Sequence, residues 1–233
     1  MRELWREIAE RAGVTLVNGQ MALFERYLDL LLEANARMNL TRITERAAAE
    51  VNHVGDALTV LPCLPAGGHR LADVGSGGGV PGIILAIARP DARVTLIEAT
   101  RKKAAFLEQA VAALGLANVT VLAERAEEAG RGAGRESFDV ALARAVATMD
   151  WLAEWCLPLV KVGGKMLAMK GQRVAEELPA AMRAIRAMGG GEPLVTPVEL
   201  PGAEHHVIVQ IAKVRKTELK YPRPASEAKG KAI

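Results

Sequence analysis

Between His69 and Met188 the chain alternates short apolar runs with longer amphipathic stretches, and that rhythm narrows the possible folds most. HRLADV, RVTLIE, NVTVL, FDVALA and GKMLAMK read as strands. VPGIILAIA, RKKAAFLEQAVAALG, Met149 to Leu157 and Val174 to Met188 read as helices, the second of them ending at Gly115 as a C-cap. Strand–helix alternation predicts a mostly parallel sheet covered by helices on both faces. EPLVTPVEL and HHVIVQIAKV then read as an antiparallel hairpin. Residues 1–66 read differently, as an N-terminal helical cap: Leu23, Tyr27, Leu30, Leu31 and Met38 recur near the helical period, and a further helix is expected from Glu45 to Leu61, stopped by Pro62. The expected division is a cap over 1–66, an α/β domain over 67–214 and a basic tail over 215–233.

Between the first strand and the first helix of this alternation lies LADVGSGGGVPG, Leu71 to Gly82. Ligands bind at the carboxyl ends of parallel strands, so a glycine-rich loop at this place is a backbone that a ligand approaches. Gly77-x-Gly79-x-x-Gly82 satisfies the dinucleotide pattern GxGxxG, which sets a pyrophosphate on a helix N-terminus. Asp73 at the strand end opposes that reading, because a carboxylate there repels phosphate and welcomes a cation. The sulfonium and ammonium of S-adenosylmethionine are both cationic, and the D-x-G-x-G-x-G spacing of Asp73, Gly75, Gly77 and Gly79 is similar to the first motif of class I (Rossmann-like) methyltransferases. Glu98 ends the second strand, where a carboxylate can accept both ribose hydroxyls of an adenosine; dehydrogenases share this acid. After the third strand, Ala126 and Glu127 stand where backbone and carboxylate can reach an adenine edge.

Several motifs in order give a broader likeness. MNLT at Met38, HVGDAL at His53, DVGSGGGVPGI, RKKAAFL at Arg101, RAEE at Arg125, LARAVA at Leu142, MKG at Met169 and YPR at Tyr221 cover nearly the whole chain. Together they resemble the bacterial ribosomal small-subunit guanine-N7 methyltransferases, the RsmG family, also called glucose-inhibited division protein B. The resemblance implies transfer of a methyl group from S-adenosylmethionine to N7 of a guanine in 16S rRNA near the decoding centre, with 16S rRNA or the small subunit as partner. It implies cofactor contacts at Gly75, Val80, Ala126, Glu127 and Arg144. Asn52 stands where the family has arginine, Ala57 replaces a serine, and the tail after YPR lacks the family's proline-rich ending.

The chemistry is compatible. Guanine N7 already offers a lone pair, so methylation needs neither a general base nor a nucleophile, and no catalytic residue is assigned. The Asn/Asp-Pro-Pro-aromatic motif of amino-nitrogen methylation is missing where the chain reads ARAVAT. Cys63 and Cys156 read as small core residues. Arg144 and Lys170, at strand ends on the same sheet edge, are expected to meet RNA; salt bridging is the alternative. Asn39 and His53 are further substrate-side candidates. His53 precedes Asp56 by three residues, and the pair either contacts RNA or braces the cap. Tyr221 and Arg223 can stack a base and hold phosphate.

From Lys213 onward seven cations face only Glu218 and Glu227, a local surplus of five on a chain of net charge +3. Such a segment is either an electrostatic footprint for RNA or a solvated tail. No apolar run approaches the roughly 20 residues of a membrane span. No metal-ligand constellation accompanies the histidines. The expected location is the cytoplasm. Two other classes stay open at this point: an NAD-dependent oxidoreductase built on the glycine loop, and an RNA-binding protein without catalysis.

Overall fold

A computed structural model describes residues 1–171, 173–203, 205–228, 230 and 232–233. Two of the tail cations, Lys229 and Lys231, lie outside the described residues. Seven strands form one sheet in the order β3-β2-β1-β4-β5-β7-β6. They are β1 (Arg70–Val74), β2 (Arg93–Ile97), β3 (Val119–Leu122), β4 (Phe138–Arg144), β5 (Val160–Gly171), β6 (Leu194–Pro197) and β7 (His206–Ala212). The first five pair in parallel, and β7 returns antiparallel between β5 and β6. The α/β sheet and its closing hairpin are as the alternation predicts.

Strand order reverses between β1 and β4, so the crevice at their carboxyl ends is the topological switch point where open α/β sheets bind ligands. Asp73 of β1 pairs with Leu142 of β4 in that register. The chain leaves β1 into the glycine loop and leaves β4 at Arg144, so both reach this crevice.

The sheet faces carry separate cores. On one side α5 (Gly82–Ala88) and α6 (Arg101–Leu114) pack with the cap helices α1 (Arg2–Arg11) and α2 (Asn18–Met38). Trp5 meets Phe24 edge to face at 5.7 Å inside the cap. On the other side α8 (Met149–Cys156) and α9 (Val174–Ala187) pack on the sheet, with α7 (Ala126–Arg131) beside them. Gly115 caps α6 with a left-handed φ of +65°, as its sequence position predicts.

The helix expected over Glu45 to Leu61 differs in detail. It begins as α3 (Arg46–Ala49), passes through a π-helical stretch at Glu50–Gly55 and ends as α4 (Asp56–Leu58). The widened turn carries His53 and leads directly into Asp56, and both are buried. π-Helical turns of this kind are found at functional sites.

Candidate active site

The glycine loop crosses the end of the sheet in left-handed conformations. Gly75 has φ +71° and Gly79 φ +97°, values that a side chain resists. Gly75 N–H donates to Ile97 O at 2.9 Å, tying the loop to β2. Gly77 N–H donates to Glu98 Oε2 at 2.9 Å, and Thr100 N–H to Glu98 Oε1 at 2.8 Å. From the cap, the buried hydroxyl of Tyr27 donates to Gly78 O at 2.7 Å. The loop is therefore fixed from the sheet side and from the cap side.

Over this loop lies a cavity of about 1140 Å³. Gly75, Gly77, Val80, Glu98, Ala126, Glu127 and Arg144 line it, together with Asn39 and His53. Asn39 caps the end of α2 at φ +52°, a conformation that asparagine tolerates.

Asp73 differs in position from the other expected cofactor contacts. The side chain is buried behind the loop, outside the cavity lining. Asp73 Oδ2 accepts from Gly82 N–H at 3.0 Å, at the start of α5. Burial pushes its carboxyl up to about 7. The carboxylate thus occupies the helix N-terminus that a dinucleotide pyrophosphate would need.

Arg144 organises the far wall. Its Nη1 donates to Asn52 O at 2.7 Å and to Asp56 Oδ2 at 2.8 Å. Its Nη2 lies 3.1 Å from His53 Nδ1. Burial first, then the Arg144 charge, holds His53 down to about 4, so the ring is neutral at pH 7. Nδ1 therefore accepts from the guanidinium, and Nε2, 3.1 Å from Thr41 Oγ1, carries the proton. His53 and Asp56 brace the cap through Arg144, which is the structural alternative the sequence leaves open.

Asp56 has a second partner absent from the sequence reading, His206 of β7. Its Nδ1 lies 3.0 Å from Asp56 Oδ1, and that contact raises the imidazole pKa. Both residues line a second cavity of about 580 Å³ that shares Ile43, Arg144 and Ala145 with the first. Lys170 lines it as well, donating to Ala147 O at 3.0 Å and pairing with Glu177 at 2.7 Å. Ala145 sits between the cavities at φ +54°, an uncommon conformation for alanine of the kind that collects at functional sites.

Tyr221 and Arg223, expected at the substrate, are outside both cavity linings. They belong to a strap laced onto the far face of the domain. Glu154 of α8 is 1% exposed and accepts from Arg223 Nη2 at 2.6 Å. Arg135 donates to Thr217 O and to Tyr221 O, each at 2.7 Å. Lys213, one of the supposed tail cations, is fully buried, with Nζ donating to Leu157 O at 2.7 Å and Met188 O at 2.9 Å. The segment that sequence presents as a solvated tail is largely structural up to Arg223.

Both thiols are buried, and burial pushes both upward in pKa, so neither is a ready nucleophile. Among the described residues no group of three or more His, Cys, Asp or Glu is placed to hold a metal ion. No helix among them is long and apolar enough to cross a membrane.

The sheet order, the glycine loop at its switch point and the strand-end acid beside it define a class I, S-adenosylmethionine-dependent methyltransferase. In fold the chain is similar to a SAM-dependent methyltransferase from Aquifex aeolicus, with TM-score 0.56 and 17% identity over 76% of this chain and 97% of that one. Residues 20–206 match the family model described as rRNA small subunit methyltransferase G, and the chain belongs to that family. It is 41% identical over 226 residues to ribosomal RNA small subunit methyltransferase G of Leuconostoc citreum, covering 95% of both chains. To the protein of that name from Moorella thermoacetica it is 45% identical over 216 residues, covering 91% of this chain and 89% of the other.

Proposed function

We propose that this chain methylates N7 of a guanine in 16S rRNA near the decoding centre, acting in the cytoplasm on the small ribosomal subunit or its RNA. The names of its relatives support small-subunit rRNA as the substrate. The observation that carries the choice of methyl donor over dinucleotide is the Asp73–Gly82 contact, which leaves no anion site at the helix N-terminus.

S-adenosylmethionine, when bound, supplies a sulfonium-activated methyl group. The residues present fit it. Glu98 spends one lone pair per oxygen on Gly77 and Thr100 and keeps others for ribose hydroxyls. The backbone at Gly75 and Gly77 gives close approach, Val80 adds apolar contact, and Ala126 with Glu127 face the adenine. Arg144, immobilised by three partners, forms the wall between donor and acceptor. Lys170 lies on the substrate side; Asn39 and His53, also expected there, line the larger cavity with the cofactor residues. Transfer to a lone pair is an in-line displacement, so what the protein contributes is alignment.

The test is incubation of the purified chain with labelled S-adenosylmethionine and small subunits from a strain lacking the modification. Label at one guanine, cleavable at N7-methylguanosine, is the expected result. No transfer would favour a non-catalytic RNA-binding role. NADH binding without affinity for S-adenosylmethionine would favour the oxidoreductase.

A further inference from the structure

The smaller cavity has a lining suited to reading a base. At about 580 Å³ it falls in the range of ~300–1,000 Å³ typical of pockets for small ligands. It abuts the larger cavity through Arg144 and Ala145 at the end of β4. Lys170, Arg173 and His206 give it a cationic lining, suited to an RNA backbone.

Two carboxylates also line it. Asp56 has both oxygens engaged, one by Arg144 and one by His206. Glu177, on α9, differs. Its Oε2 accepts from Met149 N–H at 3.0 Å and pairs with Lys170 at 2.7 Å. Its Oε1 has no partner among the described residues. This is a carboxylate held in place on one oxygen with the other left over.

We propose that this cavity receives the target guanine and that Glu177 reads it, its remaining oxygen Oε1 accepting from the 2-amino group. The inference rests on the guanine-N7 reading above. Guanine carries that donor on its minor-groove edge, with N7 on the opposite, major-groove edge. A guanine held by a carboxylate on α9 turns N7 away from that helix, toward the β4 wall shared with the larger cavity. Adenine has no 2-amino donor and leaves the same oxygen unpaired. Glu177 is a specificity residue here; it neither takes nor gives a proton.

The experiment combines a side-chain change with a base change. Small subunits are reconstituted with guanine or inosine at the target position; inosine lacks only the 2-amino group. Wild type should lose about 5- to 50-fold in kcat/KM on inosine, and Glu177→Gln should lose a similar factor on guanine. Combining the two should cost no more than about twofold beyond the worse single change, because both remove one interaction. Affinity for S-adenosylmethionine should not change. Losses that multiply would overturn the proposal, since a Glu177 that merely anchors Lys170 is blind to the 2-amino group. Equal wild-type rates on guanine and inosine would overturn it even if the variant did not fold. Failure of the parent reading is distinct: wild type would then not methylate N7 of unmodified guanine at all.

Discussion

Gly82→Ala sets two effects of opposite sign against each other. Gly82 opens α5 with no left-handed φ, so propensity alone favours alanine by about 1 kcal/mol. The packing says otherwise. A Cβ at this position would stand 2.6 Å from Asp73 Oδ2 and 3.0 Å from Asp73 Cβ, and it would also collide with Leu96 of β2. Those neighbours are buried and cannot swing away. Overpacking of this kind costs about 1–3 kcal/mol. Displacing Asp73 from Gly82 N–H adds about 1.5–3 kcal/mol for a buried charge-assisted bond. The net loss is then about 1.5–5 kcal/mol, or about 3–20 °C in Tm for a chain of this size. Affinity for S-adenosylmethionine should fall too, because Asp73 and the loop move together. Thermal unfolding followed by calorimetry, with cofactor titration, measures both. A Tm equal to or above wild type would show that the Asp73–Gly82 contact does not fix the loop.

Three further outcomes follow from named contacts. Gly75→Val should weaken S-adenosylmethionine binding at least about 10-fold, since φ is +71° and a Cβ there would lie 2.9 Å from Val146; unchanged affinity by titration would mean the loop is misassigned. Lys213 is held by burial down to about 8, below the ordinary lysine value near 10.4, so between those pH values the unfolded chain binds more protons and stability should rise with pH. The Tm of wild type minus that of Lys213→Met should therefore climb from pH 8 to 10, and a flat or falling difference refutes it. Ending the chain after Val214 strips Arg223 from the buried Glu154, which should cost about 3–5 kcal/mol and lower Tm by at least about 6 °C; a truncated chain with wild-type Tm would restore the free-tail reading.

What could be read from sequence is what depends on local pattern. The sheet follows from period and length, because a buried parallel strand and an amphipathic helix each declare themselves within a dozen residues. The glycine loop is legible because a run of positive φ favours glycine. Other features hinge on pairs far apart in the chain. Asp56 meets His206 across 150 residues, and Arg135 meets Thr217 across 82. Sequence could count the cations from Lys213 onward, but it could not show that Glu154 and the Met188 carbonyl were waiting for two of them. Asp73 was legible as an anomaly in a phosphate-type loop. Whether its carboxylate pointed at the ligand or at Gly82 N–H is a matter of rotamer and packing.

The N-terminal cap belongs to the site for a physical reason. An arginine at a parallel strand end has many rotamers and a long reach, and left alone it would pay side-chain entropy to hold one position. Here the cap supplies the Asn52 carbonyl, the Asp56 carboxylate and a neutral His53 acceptor, all of them from the π-helical turn and its end. Arg144 is thereby fixed before either ligand arrives, on the wall common to both cavities. The neutrality of His53 is part of the arrangement. A protonated ring would offer Arg144 a second donor in place of an acceptor, and two cations would face each other at 3.1 Å. The burial that keeps its pKa near 4 keeps this wall intact at neutral pH. A methyltransferase that works by alignment needs such a fixed boundary more than it needs a proton donor.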